Sequence, residues 1–178
     1  DGWPYTVLAL GKPIEPLDRH VIDAEALQYA VALHRDQVLG PEADYADAYP
    51  LRHAETYGST WRTGAKAFAA WIETLEDMEH LGYHYWHANM RWHLIMWRQS
   101  AVSYLRAMAA RHPAASSHLV AAVGAFSQTV ELAEGMDVSE EAIGGAEGRR
   151  ALIERIRRVM AHEEEAVAAM EQALEEMN

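Results

Sequence analysis

YWHANMRWHLIMWRQSAVSYLRAMAAR, residues 85–111, is the stretch on which the fold turns. Trp86, Met90, His93, Trp97, Ala101, Tyr104 and Met108 recur at steps of three and four, which stacks them along one face of an α-helix. Pro113 ends that helix, with Arg111 and His112 placed where cations favour a helix C-terminus. Trp71 and Trp97 are expected in the core or a pocket wall, where neighbouring helices face one another.

The same period continues on both sides. Upstream, residues 63–81 carry the stripe Ala67, Phe68, Trp71, Ile72 and Leu75, interrupted by Gly82. Downstream, residues 115–134 place Leu119, Val123, Phe126, Val130 and Ala133 on one face, and Gly135 closes the helix. Gly144-Gly145 then separates a short helical turn from a final helix over residues 146–177, with the seam Ile156, Met160, Glu163, Val167, Met170, Leu174 and Met177. Glu163 is the misfit. A carboxylate among Met160, Val167 and Met170 is costly unless an arginine or histidine opposes it, so this turn is expected to face solvent.

Toward the start, Asp23 is the expected cap of a helix over residues 23–38, ended by Gly40-Pro41. Residues 41–63 hold Tyr45, Tyr49, Tyr57 and Trp61 without a period and read as an aromatic-rich loop. Tyr5-Thr6-Val7-Leu8-Ala9-Leu10, closed by Gly11, reads as one strand. A lone strand has no sheet to join, so it is expected to be unpaired or to pair outside the chain. The expected fold is all-α: a bundle of about five helices with one short N-terminal strand-like arm. Residues 1–22 form the arm and proline connector, and residues 23–178 the helical domain.

At 178 residues the chain can bury a proper core. Its formal charge of −12 repels phosphate backbones, so no nucleic acid is expected as a partner. No apolar run approaches the roughly 20 residues of a membrane helix, so no membrane association is expected. The absence of cysteine excludes disulfides, thiolate zinc sites and a cysteine nucleophile, and agrees with a cytoplasmic home. Arginine-, alanine- and glutamate-rich composition, with Lys12 and Lys66 the only lysines, reads as the codon usage of a GC-rich bacterial genome. The opening Asp1-Gly2-Trp3-Pro4 is no signal peptide, and the chain is expected to be trimmed or cut from something longer.

Chemically capable side chains concentrate between Glu79 and Pro113. Two readings compete there. In the favoured one, Trp71, Trp86, His93, Trp97 and Tyr104 line a pocket for a small-molecule ligand, with rigid rings supplying contact area and His93 a polar anchor. The domain is then non-catalytic, needs no cofactor, and its partners are that ligand or a missing upstream domain; a homo-oligomer is open. In the other, the chain is a metal-dependent enzyme of helical-bundle type, in which His80, His84 and His87, spaced i, i+4, i+7, hold a metal with Glu79 or Asp77 as base. Gly82 interrupts their common face, and no Glu-x-x-His pair of the di-iron type occurs, so a structural metal site is not expected. Arg91 and Arg98 lie on other faces of the same helix, within reach of carboxylates on neighbouring helices. Neither a Gly-x-Ser-x-Gly elbow nor a P-loop is present.

Three stretches carry a resemblance. Gly64-Ala65-Lys66-Ala67-Phe68-Ala69-Ala70-Trp71-Ile72-Glu73-Thr74-Leu75 has the pattern G-x-x-A-aromatic-x-x-W-x-x-x-L. Arg98-Gln99-Ser100-Ala101-Val102-Ser103-Tyr104-Leu105 has R-x-x-A-x-x-F/Y-L, and Trp3 to Leu10 with Pro16 and Ala26-Leu27-Gln28-Tyr29-Ala30 follows a strand, proline connector and A-L-x-x-A helix. Together they resemble the helical C-terminal region of papain-like (C39-peptidase-like) proteins related to butirosin biosynthesis protein H. The resemblance implies a helical, non-catalytic part that covers or lines a site built elsewhere. The nucleophilic cysteine and its partner histidine of such proteins lie upstream, and neither carries over to any residue here.

Overall fold

Asp18, rather than Asp23, caps the first helix. Its carboxylate accepts the His20 backbone N–H at 2.9 Å, and the helix runs Arg19–His34. Asp23 is therefore one turn inside the helix and fully buried, which moves the helix start upstream of the expected boundary. The computed structural model describes residues 18–35, 64–77 and 84–177, the side chain of His84 excepted. It contains α1 (Arg19–His34), α2 (Gly64–Glu76), α3 (His84–Arg111), α4 (Ser116–Glu134), α5 (Glu140–Gly144) and α6 (Ala146–Met177). The fold is an all-α bundle, with no strand among the described residues. The Tyr5–Leu10 arm and the 41–63 loop lie outside them, as does most of the connector assigned to residues 1–22.

α4 is the central element. Leu119, Ala122, Val123, Ala125, Phe126, Thr129, Leu132 and Ala133 are all buried, so the helix is covered on more than one side, by α3 and by α6. The small residues among them let both neighbours approach. α1 and α2 lie against α6, and the short α5 packs on the start of α6. Two glycines make close joints. Gly64 opens α2 at φ +53°, where a Cβ would stand 1.9 Å from the His34 carbonyl oxygen at the end of α1. A Cβ at Gly148 would stand 2.2 Å from the Ala142 carbonyl oxygen of α5.

The core falls into two clusters. One joins Leu27 of α1 to Leu105, Met108, Phe126, Val167 and Met170. The other joins Trp71 and Leu75 of α2 to Leu94, Leu132, Ile143, Leu152 and Ile156. Trp71 is buried, as its place in the α2 stripe predicts. Trp97 is not; it stands on the outside of the bundle. The inward face of α3 carries His87, Leu94, Val102, Leu105 and Met108, with Arg98 directed at a buried carboxylate. α3 is apolar or aromatic around most of its circumference, so period alone did not choose a face. The face that turns inward includes a histidine and an arginine because α2 and α6 supply their partners.

Candidate ligand cavity

Glu163 and Arg98 set the polar end of the site. The Glu163 side chain is 1% exposed, and Arg98 grips it with both arms of its guanidinium, Nε to Oε1 at 2.7 Å and Nη2 to Oε2 at 2.5 Å. This two-pronged fit satisfies a carboxylate that would otherwise be prohibitive in the core. The expectation that this turn of the last helix faces solvent is corrected here: the opposing arginine lies on α3. The guanidinium also rests 5.0 Å over the Phe126 ring, a cation–π contact that holds it flat.

Next to the pair is a cavity of about 140 Å³. α1 forms one wall with Ala26, Leu27, Ala30 and His34. Ala101, Tyr104 and Leu105 of α3, Phe126 of α4, and Val167 and Met170 of α6 complete it, with Arg98 and Glu163 in the lining. Three alanines face the space where larger residues would fill it. Its volume is comparable to that of an engineered apolar cavity of about 150 Å³ that holds a benzene ring, but this cavity opens to the surface.

α1 is fastened across the cavity by polar contacts at both ends. At the N-terminal end, the buried Asp23 accepts from Tyr104 Oη at 2.8 Å, Arg111 Nε at 2.8 Å and His112 Nε2 at 2.9 Å. Burial pushes the Asp23 carboxyl up, but the hydrogen bonds of His112, Tyr104 and Arg111 outweigh it and hold the group below its ordinary range. Burial and the bond to Asp23 push the Tyr104 hydroxyl the other way, up. His112 continues to His20, Nδ1 to Nδ1 at 3.3 Å, and His20 Nε2 reaches the Met177 carbonyl at 2.9 Å. At the C-terminal end, Arg35 binds Glu171 in two-pronged fashion at 2.9 and 3.0 Å and also bonds Glu164. The Arg35 bond holds the Glu171 carboxyl below its ordinary range.

The five residues expected to share a pocket are distributed over three places. Tyr104 lines the cavity. Trp71 is in the core, where its indole N–H donates to His87 Nδ1 at 2.9 Å. Trp86, His93 and Trp97 belong to the outer face of α3, where His93 stacks on Trp97 with ring centres 5.0 Å apart. Of the alternative metal trio, His80 and the side chain of His84 lie outside the described residues. The Trp71 bond occupies the lone pair at His87 Nδ1, so the proton of the neutral ring sits on Nε2. Neither nitrogen of His87 then offers a lone pair to a metal, and burial pushes the ring's pKa down, keeping it neutral. No group of three or more potential ligands occurs among the described residues.

Sequence reasoning singled out Arg98 and Glu163 separately but not as a pair, and missed Asp23 as a buried acceptor. Asp23 carried a signal all the same: it shares the i, i+4 stripe of Leu27 and Val31, both inward residues of α1. Compared with known protein families, with curated proteins and with solved structures, the chain has no match.

Proposed function

We propose that this chain is a non-catalytic helical binding domain whose ligand is a small, neutral, single-ring molecule seated in the cavity beneath α1. The observation that carries the reading is a small space whose lining joins apolar side chains to the Arg98–Glu163 pair. That pair balances its own charge, so a second net charge placed beside it would be buried without a partner. A neutral hydroxyl or amide head can take the remaining guanidinium N–H groups at no such penalty. Glu163, the carboxylate in the cavity lining, is tied up on both oxygens by the Arg98 guanidinium, which supports binding over catalysis. The resemblance of residues 64–75 and 98–105 to the helical part of papain-like proteins extends the proposal: the chain would serve a catalytic site built elsewhere.

Phenol, benzyl alcohol, benzamide, benzoate and benzylamine form the test series, followed by amide chemical shifts. Saturable shifts at Ala26, Ala30, Ala101 and Leu105 are expected for the neutral members and weaker ones for the charged members. Ala101→Leu, which fills the space, should abolish them. Binding that survives Ala101→Leu, or no saturable shift with any member, overturns the reading.

A further inference from the structure

The outward face of α3 is separate from the cavity and unused by it. Tyr85, Trp86, Trp92, Met96 and Trp97 stand 77, 50, 53, 37 and 60% exposed. His93 sits among them, stacked on Trp97 and meeting Trp92 edge-on with ring centres 4.9 Å apart. With about 150–250 Å² for each aromatic side chain, the face presents on the order of 500 Å² of apolar surface. That is near the upper end for the largest patch on a monomer and more than half of the roughly 800 Å² each partner contributes to a standard interface.

Charge restricts where a second copy can dock. Two bodies of formal charge −12 repel over most approaches. α3 contains no Asp or Glu, so this is a face on which they can meet. Its arginines, Arg106 apart, are committed elsewhere: Arg91 to the Ala133 and Glu134 carbonyls, Arg98 to Glu163, and Arg111 to Asp23. We propose that two copies of this chain associate through α3, the Trp92–His93–Trp97 faces packing on one another across a two-fold axis. Such a contact requires a surface complementary to itself. Aromatic rings meet that requirement, because the edges of one set can rest on the faces of the other.

Sedimentation velocity on the full chain, from low micromolar to several hundred micromolar, tests the proposal. The mass is expected to double with concentration. Trp92→Glu/Trp97→Glu should raise the dissociation constant on the order of 100-fold, because it buries unpaired carboxylates at the contact. Both positions are exposed in the monomer, so helical content and melting temperature should stay near the wild-type values. A second variant needs no acidic substitution. Met96→Cys in this cysteine-free chain should give a covalent dimer with a short bismaleimide, whereas Val120→Cys, exposed on α4, should not. A wild type that stays monomeric throughout overturns the proposal and leaves the face to an unlike partner. So does a dimer that persists in the double glutamate variant while Met96→Cys fails to cross-link.

Discussion

Breaking the Arg98–Glu163 pair from one side should be far more damaging than breaking it from the other. Arg98→Met leaves a carboxylate that is 1% exposed without its partner, and removal of one member of such a buried pair costs about 3–5 kcal/mol. Glu163→Leu strands an arginine that is 26% exposed and still resting on Phe126. Its guanidinium can turn toward water, which should hold the loss to about 1–3 kcal/mol. The double variant Arg98→Met/Glu163→Leu puts two apolar side chains of suitable length in contact and should come within about 1.5 kcal/mol of wild type. The cycle thus has a large favourable coupling term against a total stability of about 5–15 kcal/mol. Urea unfolding followed by helical dichroism measures all four proteins, with a common slope as the check on two-state behaviour. Equal losses from the two single variants, or a double variant that is their sum, would refute the placement of both charges.

Acid should act through Asp23. Its folded-state pKa lies below the ordinary value of about 3.9, so the stabilisation is complete above that value and is lost as pH falls through the lower one. Asp23→Asn should therefore flatten the urea midpoint against pH below about pH 4, and parallel profiles for variant and wild type would contradict this. His87, with its pKa pushed down by burial, favours the folded state above about pH 6.5 and progressively less below it, a loss that a His87→Phe variant should lack. Trp71→Phe leaves both nitrogens of that buried ring unmet and should lower stability by about 1–3 kcal/mol, measured as a fall in melting temperature. Two helical glycines should respond oppositely to alanine. Gly148→Ala drives a methyl into the α5 backbone and should destabilise by about 1–3 kcal/mol, whereas Gly124→Ala enters open space and should stabilise by about 0.5–1 kcal/mol.

Helix existence was legible from the three-and-four spacing, and Pro113, Gly135 and Gly145 marked boundaries close to where the chain turns. Which way a helix faces was less so. α3 offers Trp97 on one side and Leu94, Val102 and Leu105 on another, and tryptophan, though rarely buried completely, is highly buried on average. The decision is made by partners distant in sequence. Trp71 of α2 takes His87, and Glu163 of α6 takes Arg98, which turns that side of the helix inward. The same non-local pairing hid the cavity: Ala30, Ala101 and Glu163 have no local pattern in common, and only the docking of α1 brings them together. Asp23 misled for a related reason, since a carboxylate near a helix start reads as a cap until Tyr104, Arg111 and His112 arrive from the far end of α3.

The two fastenings of α1 differ in their exposure to salt. Asp23 is out of contact with water, and mobile ions screen a buried charge poorly. Arg35 grips Glu164 and Glu171, both substantially exposed, and that attraction fades as the Debye length contracts from about 10 Å at 0.1 M salt to about 3 Å at 1 M. Rising ionic strength therefore loosens one end of α1 while leaving the other pinned. The two ends of α1 are thus held by contacts of different salt sensitivity, and the more sensitive one lies beside His34 in the cavity wall.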